Sequence, residues 1–320
     1  MSTSTISAGP AVTAGPAPSR KRSRGWRGPL LIWAFVAPAL IVYATFVLLP
    51  VALAAVYSFF NWNGLSALER FIGFDNYARA LSDPVFISAI GHNLAIVALS
   101  LVIQGPLAVL VALLLNRPLR GRTLIRTLIF VPYVLSEVVA GLAFRLLLPP
   151  DGPFDGFLTA LGWAGDKPNW LADPAIAFWT LFFVLTWKYL GFAIILMLAG
   201  LQGVPEELGE AAAIDGASWW QIQRHITLPL LGPTIRVWAF LSIIGSLQLF
   251  DMVWILTGGG PINSTNTMAT YMVEYGNQRS QLGYGSAVAV ILFVISLAIA
   301  LLYQRFVLRR DLAGAITRNG

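Results

Sequence analysis

Cysteine is absent from the 320-residue chain, and histidine occurs only at His92 and His225. Without cysteine there is no disulfide framework, no thiolate nucleophile and no cysteine-ligated metal. Neither histidine has a second metal ligand at a useful spacing, so we predict no metal site. The G-x-x-x-x-G-K-[ST] phosphate loop and the G-x-S-x-G nucleophile elbow are missing as well. The chain is therefore predicted not to be an enzyme, not to hydrolyse ATP and to hold no cofactor of its own.

Charged residues are also scarce, at 11% of the chain against 57% hydrophobic residues. Soluble domains carry roughly a quarter charged residues, and the mean hydropathy here is +0.72. The formal net charge of +6 would suit a nucleic-acid partner. However, the arginines and lysines cluster beside apolar runs, so we expect lipid and no nucleic acid as the surroundings.

Six apolar runs are long enough to cross a membrane, which takes about 20 residues of helix. They show none of the alternation typical of barrel strands. The fold class predicted is an all-α membrane protein with six transmembrane helices. Residues 1–29 are expected to form a disordered basic tail, residues 30–310 the transmembrane domain and residues 311–320 a C-terminal tail. The runs are residues 30–59, 91–115, 123–148, 175–198, 234–256 and 287–307.

The arginines indicate an orientation, because short cytoplasmic loops carry an excess of basic residues. One side collects the basic residues of the first tail, then those at 117–126, at 224 and 236, and at the C-terminus. The opposite loops hold fewer basic residues and six aspartates. Both termini are therefore expected on the cytoplasmic side.

The loop at residues 205–229 reads as two short helices joined at Gly216. Glycine adopts the left-handed conformation that ends a helix, and Ser218 with Gln221 is a capping box that begins another. Pro229 is expected to end the second helix. Such a helix pair could dock in a groove of a soluble partner protein. It suits equally an amphipathic connector lying on the lipid headgroups.

The same loop contains Glu210-Ala211-Ala212, Asp215-Gly216-Ala217 and Ile226-Thr227-Leu228-Pro229. This run resembles the EAA loop of binding-protein-dependent ABC importer permeases. The resemblance implies the type I ABC importer permease fold, with a cytoplasmic coupling helix between helices 4 and 5 that seats in an ATPase subunit. The residues implied in coupling to the ATPase are Glu210, Ala211, Ala212, Asp215, Gly216, Ala217, Ile226, Leu228 and Pro229.

Three further stretches resemble the carbohydrate-uptake branch of that family, of the maltose and glycerol-phosphate permease kind. They are FIGFDNY at 71–77, AGLQ at 199–202, and FD with LTGGGP at 250–261. The resemblance implies a sugar or sugar-derivative importer of the bacterial or archaeal inner membrane, with this chain as the F-type permease. The implied partners are a G-type permease, two ATP-binding cassette subunits that bind ATP-Mg and an extracytoplasmic solute-binding protein. The large outer insertion of the maltose permease is missing here.

Polar residues inside spans are costly and mark functional candidates. On span five Ser242, Gly245, Ser246 and Leu249 form one helical stripe. Small residues also let membrane helices approach closely, and aromatic residues near span ends often anchor a helix at the interface, so both interpretations stay open. Matching the family motifs implies a substrate pathway formed by Lys188, Tyr189, Phe192, Ser242, Ser246, Leu249 and Asp251.

Two other classes were weighed against an importer. An ion-gradient-driven secondary transporter would use Glu137, Lys188 and Asp251 as a relay. Such transporters usually show internal repeats, which are not evident here, and this alternative leaves the loop at 205–229 unexplained. A membrane enzyme would need a paired carboxylate or metal site at the interface, which the sequence does not offer.

Overall fold

The computed structural model describes residues 27–117 and 120–308. Within those ranges the backbone is helical apart from its loops and one isolated antiparallel bridge between Phe60 and Phe71. The predicted tails at 1–29 and 311–320 fall almost entirely outside the described residues. By its internal contacts the chain divides into a first unit, residues 1–51, and a second unit, residues 52–320. The first unit contains the beginning of span one, and the cavity and the loop described below belong to the second unit.

Among the described residues, five continuous helices are long and apolar enough to cross a membrane, and a bent helix pair counted as one span makes six. This confirms the all-α class and the six predicted spans. Spans two and six begin several residues before the predicted runs, and span four is shifted toward the C-terminus by two to three residues. Spans one, two, four, five and six are Trp33–Tyr57, Pro84–Leu115, Ala177–Leu201, Trp219–Leu247 and Leu282–Leu308.

Span three, predicted as the apolar run 123–148, is broken into two helices in the structure. The structure has two helices, Arg122–Val134 and Glu137–Leu147, bent by 96°. The first ends at Leu135, whose backbone is extended, and Ser136 begins the second by accepting a hydrogen bond from the Val139 amide at 3.2 Å. Hydropathy reports apolar length but not direction, so both halves counted as one run.

Span five also differs from its prediction at both ends. It begins at Trp219 instead of 234 and ends at Leu247, and a separate helix, Asp251–Leu256, follows the break. Pro229 was expected to end the loop's second helix, and this was wrong because the helix passes through Pro229 into the span.

In three spans a π-helical turn precedes a proline through which the helix continues. In each case the proline comes two residues after the turn. A proline ring clashes with the carbonyl four residues earlier, and that carbonyl lies inside the wider π turn here. The turns and prolines are Ala44–Leu48 with Pro50, Ser100–Gln104 with Pro106, and Gln223–Thr227 with Pro229.

Buried apolar side chains join the spans of the second unit. Spans two, four and five share one cluster that contains Leu231 and Trp238. A second cluster, around Met252, joins span four to the second half of span three and to the short helix after span five. Gly191 brings span four close to span three, because a Cβ at this position would collide with the carbonyl oxygen of Ile129.

Candidate functional site

A cavity of about 200 Å³ lies among spans two to five. Five of the seven residues predicted for the substrate pathway line it, namely Tyr189, Phe192, Ser242, Ser246 and Leu249. The stripe recognised on span five is therefore a cavity wall, because Gly245 lines the cavity too. The remaining lining residues are Ile96, Ser100, Gln104, Tyr133, Phe182, Leu185, Thr186, Trp238 and Leu241.

Aromatic rings form the wall on spans three and four. Tyr133 stacks on Phe192 with ring centroids 5.0 Å apart and an interplanar angle of 22°. Tyr189 meets Tyr133 edge to face at 6.4 Å, and its hydroxyl donates a hydrogen bond of 2.7 Å to Glu137 Oε1. The rings offer an apolar platform, since a flat aromatic face packs against weakly polar surfaces.

Sequence reasoning missed several lining residues. Gln104 was detectable, because it is a polar side chain within an apolar span and directly precedes the Gly105–Pro106 pair. Tyr133 had no such signal, because only the break in span three brings it to the cavity. Thr186 resembles many helical threonines that bond their own backbone, so its sequence position carries no functional signal.

Lys188 is not among the described residues that line the cavity. It is 2% exposed, and its Nζ donates to the carbonyl oxygens of Pro132 at 3.3 Å, Tyr133 at 3.1 Å and Leu135. Glu137 Oε1 lies 3.6 Å from the same nitrogen. These carbonyls belong to the end of the first half of span three, where a helix presents unpaired acceptors and partial negative charge. The Lys188 ammonium group therefore satisfies the carbonyl oxygens that the break in span three leaves without a helical partner.

The last predicted pathway residue, Asp251, is exposed and begins the short helix after span five. It too is outside the group of described residues that line the cavity. Buried polar side chains hold the end of span five and the short segment that leads from it to Asp251. Asn93 donates to the Ser246 carbonyl at 2.7 Å and accepts from the Met268 amide at 2.9 Å, and Thr267 Oγ1 donates to the Leu249 carbonyl at 2.8 Å. These bonds position two lining residues.

The loop between spans four and five is a helical hairpin, residues 205–229. Its first helix is Glu206–Ile214, and Gly216 then adopts φ +86°. Ser218 and Gln221 form the capping box that begins the following helix. These three local predictions are confirmed, since each depends only on neighbouring residues.

The predicted coupling residues divide between two surroundings. The exposed ones are Glu210, Ala211, Asp215, Gly216 and Pro229, and the half-buried ones are Ala212, Ala217, Ile226 and Leu228. The hairpin packs beside the ends of spans two and four across a cleft of about 560 Å³. There the Arg117 guanidinium stacks 4.2 Å from the Trp219 ring. Ile214 is 87% exposed at the tip, which leaves an apolar side chain free for contact.

Membrane-spanning helices around a polar and aromatic cavity, with a helical hairpin between the fourth and fifth spans, define the class of membrane transport permeases. The chain belongs to the family described as "Binding-protein-dependent transport system inner membrane component", which matches residues 104–311. It is thus a multi-pass membrane protein and a non-catalytic ABC importer permease subunit.

Known relatives extend over most of the chain. It is 36% identical over 263 residues to the multiple sugar-binding transport system permease protein MsmF of Streptococcus mutans, covering 82% of this chain and 90% of that protein. The trehalose/maltose transport system permease protein MalF of Thermococcus litoralis is 32% identical over 281 residues, or 88% and 94% of the two chains.

A solved structure has the same fold. It is a bacterial ABC transporter involved in the import of the acidic polysaccharide alginate. The TM-score is 0.78 at 26% identity, and the match covers 88% of this chain and 96% of that one.

Proposed function

We propose that this permease forms half of the translocation pathway of an ATP-driven sugar importer. The observation that supports this most directly is the cavity, in which aromatic rings face hydroxyl and amide groups. Sugars present hydroxyl arrays and weakly apolar ring faces, and binding sites combine an apolar lining with a few placed polar groups. Tyr189, Phe192, Ser242, Ser246 and Leu249 are the proposed pathway residues.

The proposed complex contains this chain, a second permease of the G type, two cytoplasmic ATP-binding cassette subunits and an extracytoplasmic solute-binding protein. Both termini and the hairpin face the cytoplasm, as the distribution of arginines indicates. ATP-Mg belongs to the ATPase subunits. The two permeases together enclose the pathway, and Lys188 and Asp251 contribute to its architecture next to the cavity.

The hairpin is the proposed coupling element. Glu210 and Asp215 give its exposed surface negative charge, and the adjacent Ile214 supplies apolar area for helix-in-groove docking. The half-buried Ile226 lines the cleft beside span four, and Leu228 packs against the cluster shared by spans two, four and five. Since the helix from Trp219 to Leu247 is continuous, movement of the hairpin is transmitted directly to the cavity residues on span five.

The ion-driven alternative has less support. Glu137 and Lys188 are paired and bonded at the helix break, and no hydrogen bond or ion pair connects Asp251 to them among the described residues. The proposed relay is therefore not assembled as a chain of contacts, whereas the hairpin has an evident use only in the importer.

The test is co-purification with a tag on this chain, in cells that contain all the proposed subunits. Wild type should recover an ATPase and a second permease, and Gly216→Asp should lose the ATPase while still inserting in the membrane. A left-handed residue other than glycine costs roughly 1–2 kcal/mol. Gly162→Asp is the matched control, because Gly162 has φ +91° and open space around it, as Gly216 does, but lies outside the hairpin.

The control should retain the ATPase. Recovery of this chain alone in every sample, across several detergents, would contradict the importer and favour an ion-coupled transporter. Equal ATPase recovery with both glycine variants would refute the coupling role of the hairpin while leaving the importer in place.

A further inference from the structure

We infer that the cavity carries an uncharged saccharide, that sugar phosphates and acidic sugars are excluded, and that Thr186 contacts the cargo. This deepens the proposed function and rests on it. The fold alone leaves the charge of the cargo open, since the solved transporter of the same fold imports an acidic polysaccharide. The side chains of this cavity decide the part of the question that belongs to this chain's half of the pathway.

The first argument is the composition of the cavity wall. It is lined by fifteen residues, and none of these described residues is Asp, Glu, Lys, Arg or His. Besides the Tyr133, Tyr189 and Trp238 side chains, the polar groups are neutral hydroxyls and one amide, on Ser100, Gln104, Thr186, Ser242 and Ser246. Each of these groups can both donate and accept hydrogen bonds, as an array of sugar hydroxyls also does.

The second argument is that the lysine of span four is already fully engaged. An ammonium group has three donors and no acceptor. Lys188 uses them on the carbonyl oxygens of Pro132, Tyr133 and Leu135, with Glu137 as its counter-charge. No donor is therefore left for a phosphate or a carboxylate, and the pair adds no net charge beside the cavity.

The third argument concerns Thr186, whose Oγ1 is buried and has no hydrogen-bond partner within the described ranges. Leaving a buried hydroxyl unpaired is unfavourable, and it is accepted where a ligand satisfies the group. Thr186 lines the cavity one helical turn before Tyr189 and beside Gln104 in the same lining. Because Thr186 Oγ1 is closed to solvent, a rotation about the side-chain Cα–Cβ bond brings it to a sugar hydroxyl beside the ring platform of Tyr133 and Phe192.

An anion entering such a cavity would lose its water without gaining a cation from this chain. The desolvation penalty of a charged group exceeds what neutral donors return. We therefore expect an anionic sugar to bind at least about tenfold more weakly than its neutral parent, a factor that corresponds to about 1.4 kcal/mol.

The experiment measures sugar binding to the purified full complex without the solute-binding protein, so that receptor specificity does not enter. The neutral probes are trehalose, maltose and lactose, and the anionic probes are trehalose 6-phosphate and lactobionate. Kd is measured by the change in tryptophan fluorescence, for which Trp238 in the cavity lining is a reporter. At least one neutral probe should bind, and its anionic counterpart should bind at least about tenfold more weakly.

Substitutions at position 186 test whether Thr186 contributes to the affinity for the neutral sugar. Thr186→Val, which keeps the volume, should raise the Kd of the neutral sugar about fivefold, the value of one hydrogen bond. Thr186→Ser keeps the hydroxyl and should restore most of the affinity. Ser296→Ala is the matched control, because Ser296 Oγ is also buried and unpartnered within the described residues but belongs to span six, outside the cavity.

Equal or tighter binding of an anionic probe overturns the inference. So does binding of no sugar at all by a complex that still contains its ATPase, an outcome that leaves the importer standing and removes the saccharide. If Thr186→Val and Ser296→Ala give the same Kd, Thr186 does not contact the cargo. Failure of the proposed function itself would be seen earlier, as the absence of the ATPase from the purified complex.

Discussion

Replacing Lys188 by methionine is the most direct test of the view that this lysine holds the bent span together. Methionine keeps the length and the apolar stem but removes the three donors. The carbonyl oxygens of Pro132, Tyr133 and Leu135 then lose their partner, and Glu137 keeps only the Tyr189 hydroxyl.

The magnitude follows from these groups. Hydrogen bonds inside membrane proteins are worth about 0.6 kcal/mol on average, so three lost bonds cost about 2 kcal/mol. Breaking a buried ion pair costs about 3–5 kcal/mol. The Glu137 side chain is 25% exposed, so solvent lowers this share to about 1–2 kcal/mol. We expect Lys188→Met to lower the free energy of unfolding by about 3–4 kcal/mol.

The double variant Lys188→Met/Glu137→Gln separates the two contributions. It removes the unpaired charge of Glu137 and should recover the ion-pair contribution of about 1–2 kcal/mol to the free energy of unfolding. The three carbonyl oxygens stay unsatisfied. Stability is measured by equilibrium unfolding in mixed micelles, followed by tryptophan fluorescence. Lys167→Met is the control, because Lys167 lies in the loop between spans three and four, and it should change stability by less than about 0.5 kcal/mol.

An unchanged stability of Lys188→Met would refute this reasoning. Loss of sugar affinity at unchanged stability would show in addition that Lys188 faces the cargo. The neutral character of the cavity would then be wrong as well, since a free ammonium group would be available to an anion.

Three further predictions concern the packing around the cavity and beyond it. Asn93→Leu leaves buried backbone groups unpaired at the end of span five, so it should cost about 2 kcal/mol and weaken sugar binding, measured as unfolding free energy and Kd. Gly191→Val forces span four away from the carbonyl oxygen of Ile129 and should abolish recovery of folded protein by gel filtration. Burial, followed by the hydrogen bond to Asp83, raises the pKa of Tyr271. The free energy of unfolding should therefore be constant below a pH of about 10 and fall above it, because the unfolded state loses this proton first. In Tyr271→Phe the fall should be less steep.

Local and periodic signals explain what could be predicted from the residues. Six apolar runs became six spans because lipid requires every backbone group of a spanning segment to be satisfied inside a helix. Gly216 ends its helix and Ser218 begins the next because both devices involve only neighbours along the chain. Ser242, Gly245 and Ser246 became a cavity wall because helical periodicity places them on one face of span five, and Leu249 lines the cavity just after the span ends.

The failures have a physical pattern as well. Pro229 was taken as a stop, but a π turn moves the clashing carbonyl aside and the helix continues. The apolar run of span three shows no break in its hydropathy, although a lysine from another span supplies donors for the carbonyl oxygens at the break. In both cases the backbone groups are satisfied in a way that hydropathy does not record.

Lys188 illustrates the difference between what the sequence determines and what only the tertiary structure determines. The order of residues along the chain was enough for the membrane location, the number of spans and the hairpin, because these depend on transfer of apolar runs into lipid and on local capping. Whether an intramembrane lysine faces a cargo or a helix end depends on which groups the tertiary structure places within hydrogen-bonding distance of its ammonium group. That partner is a set of carbonyl oxygens more than fifty residues away along the chain, and only the packing of span four against the bent span three brings them within hydrogen-bonding distance.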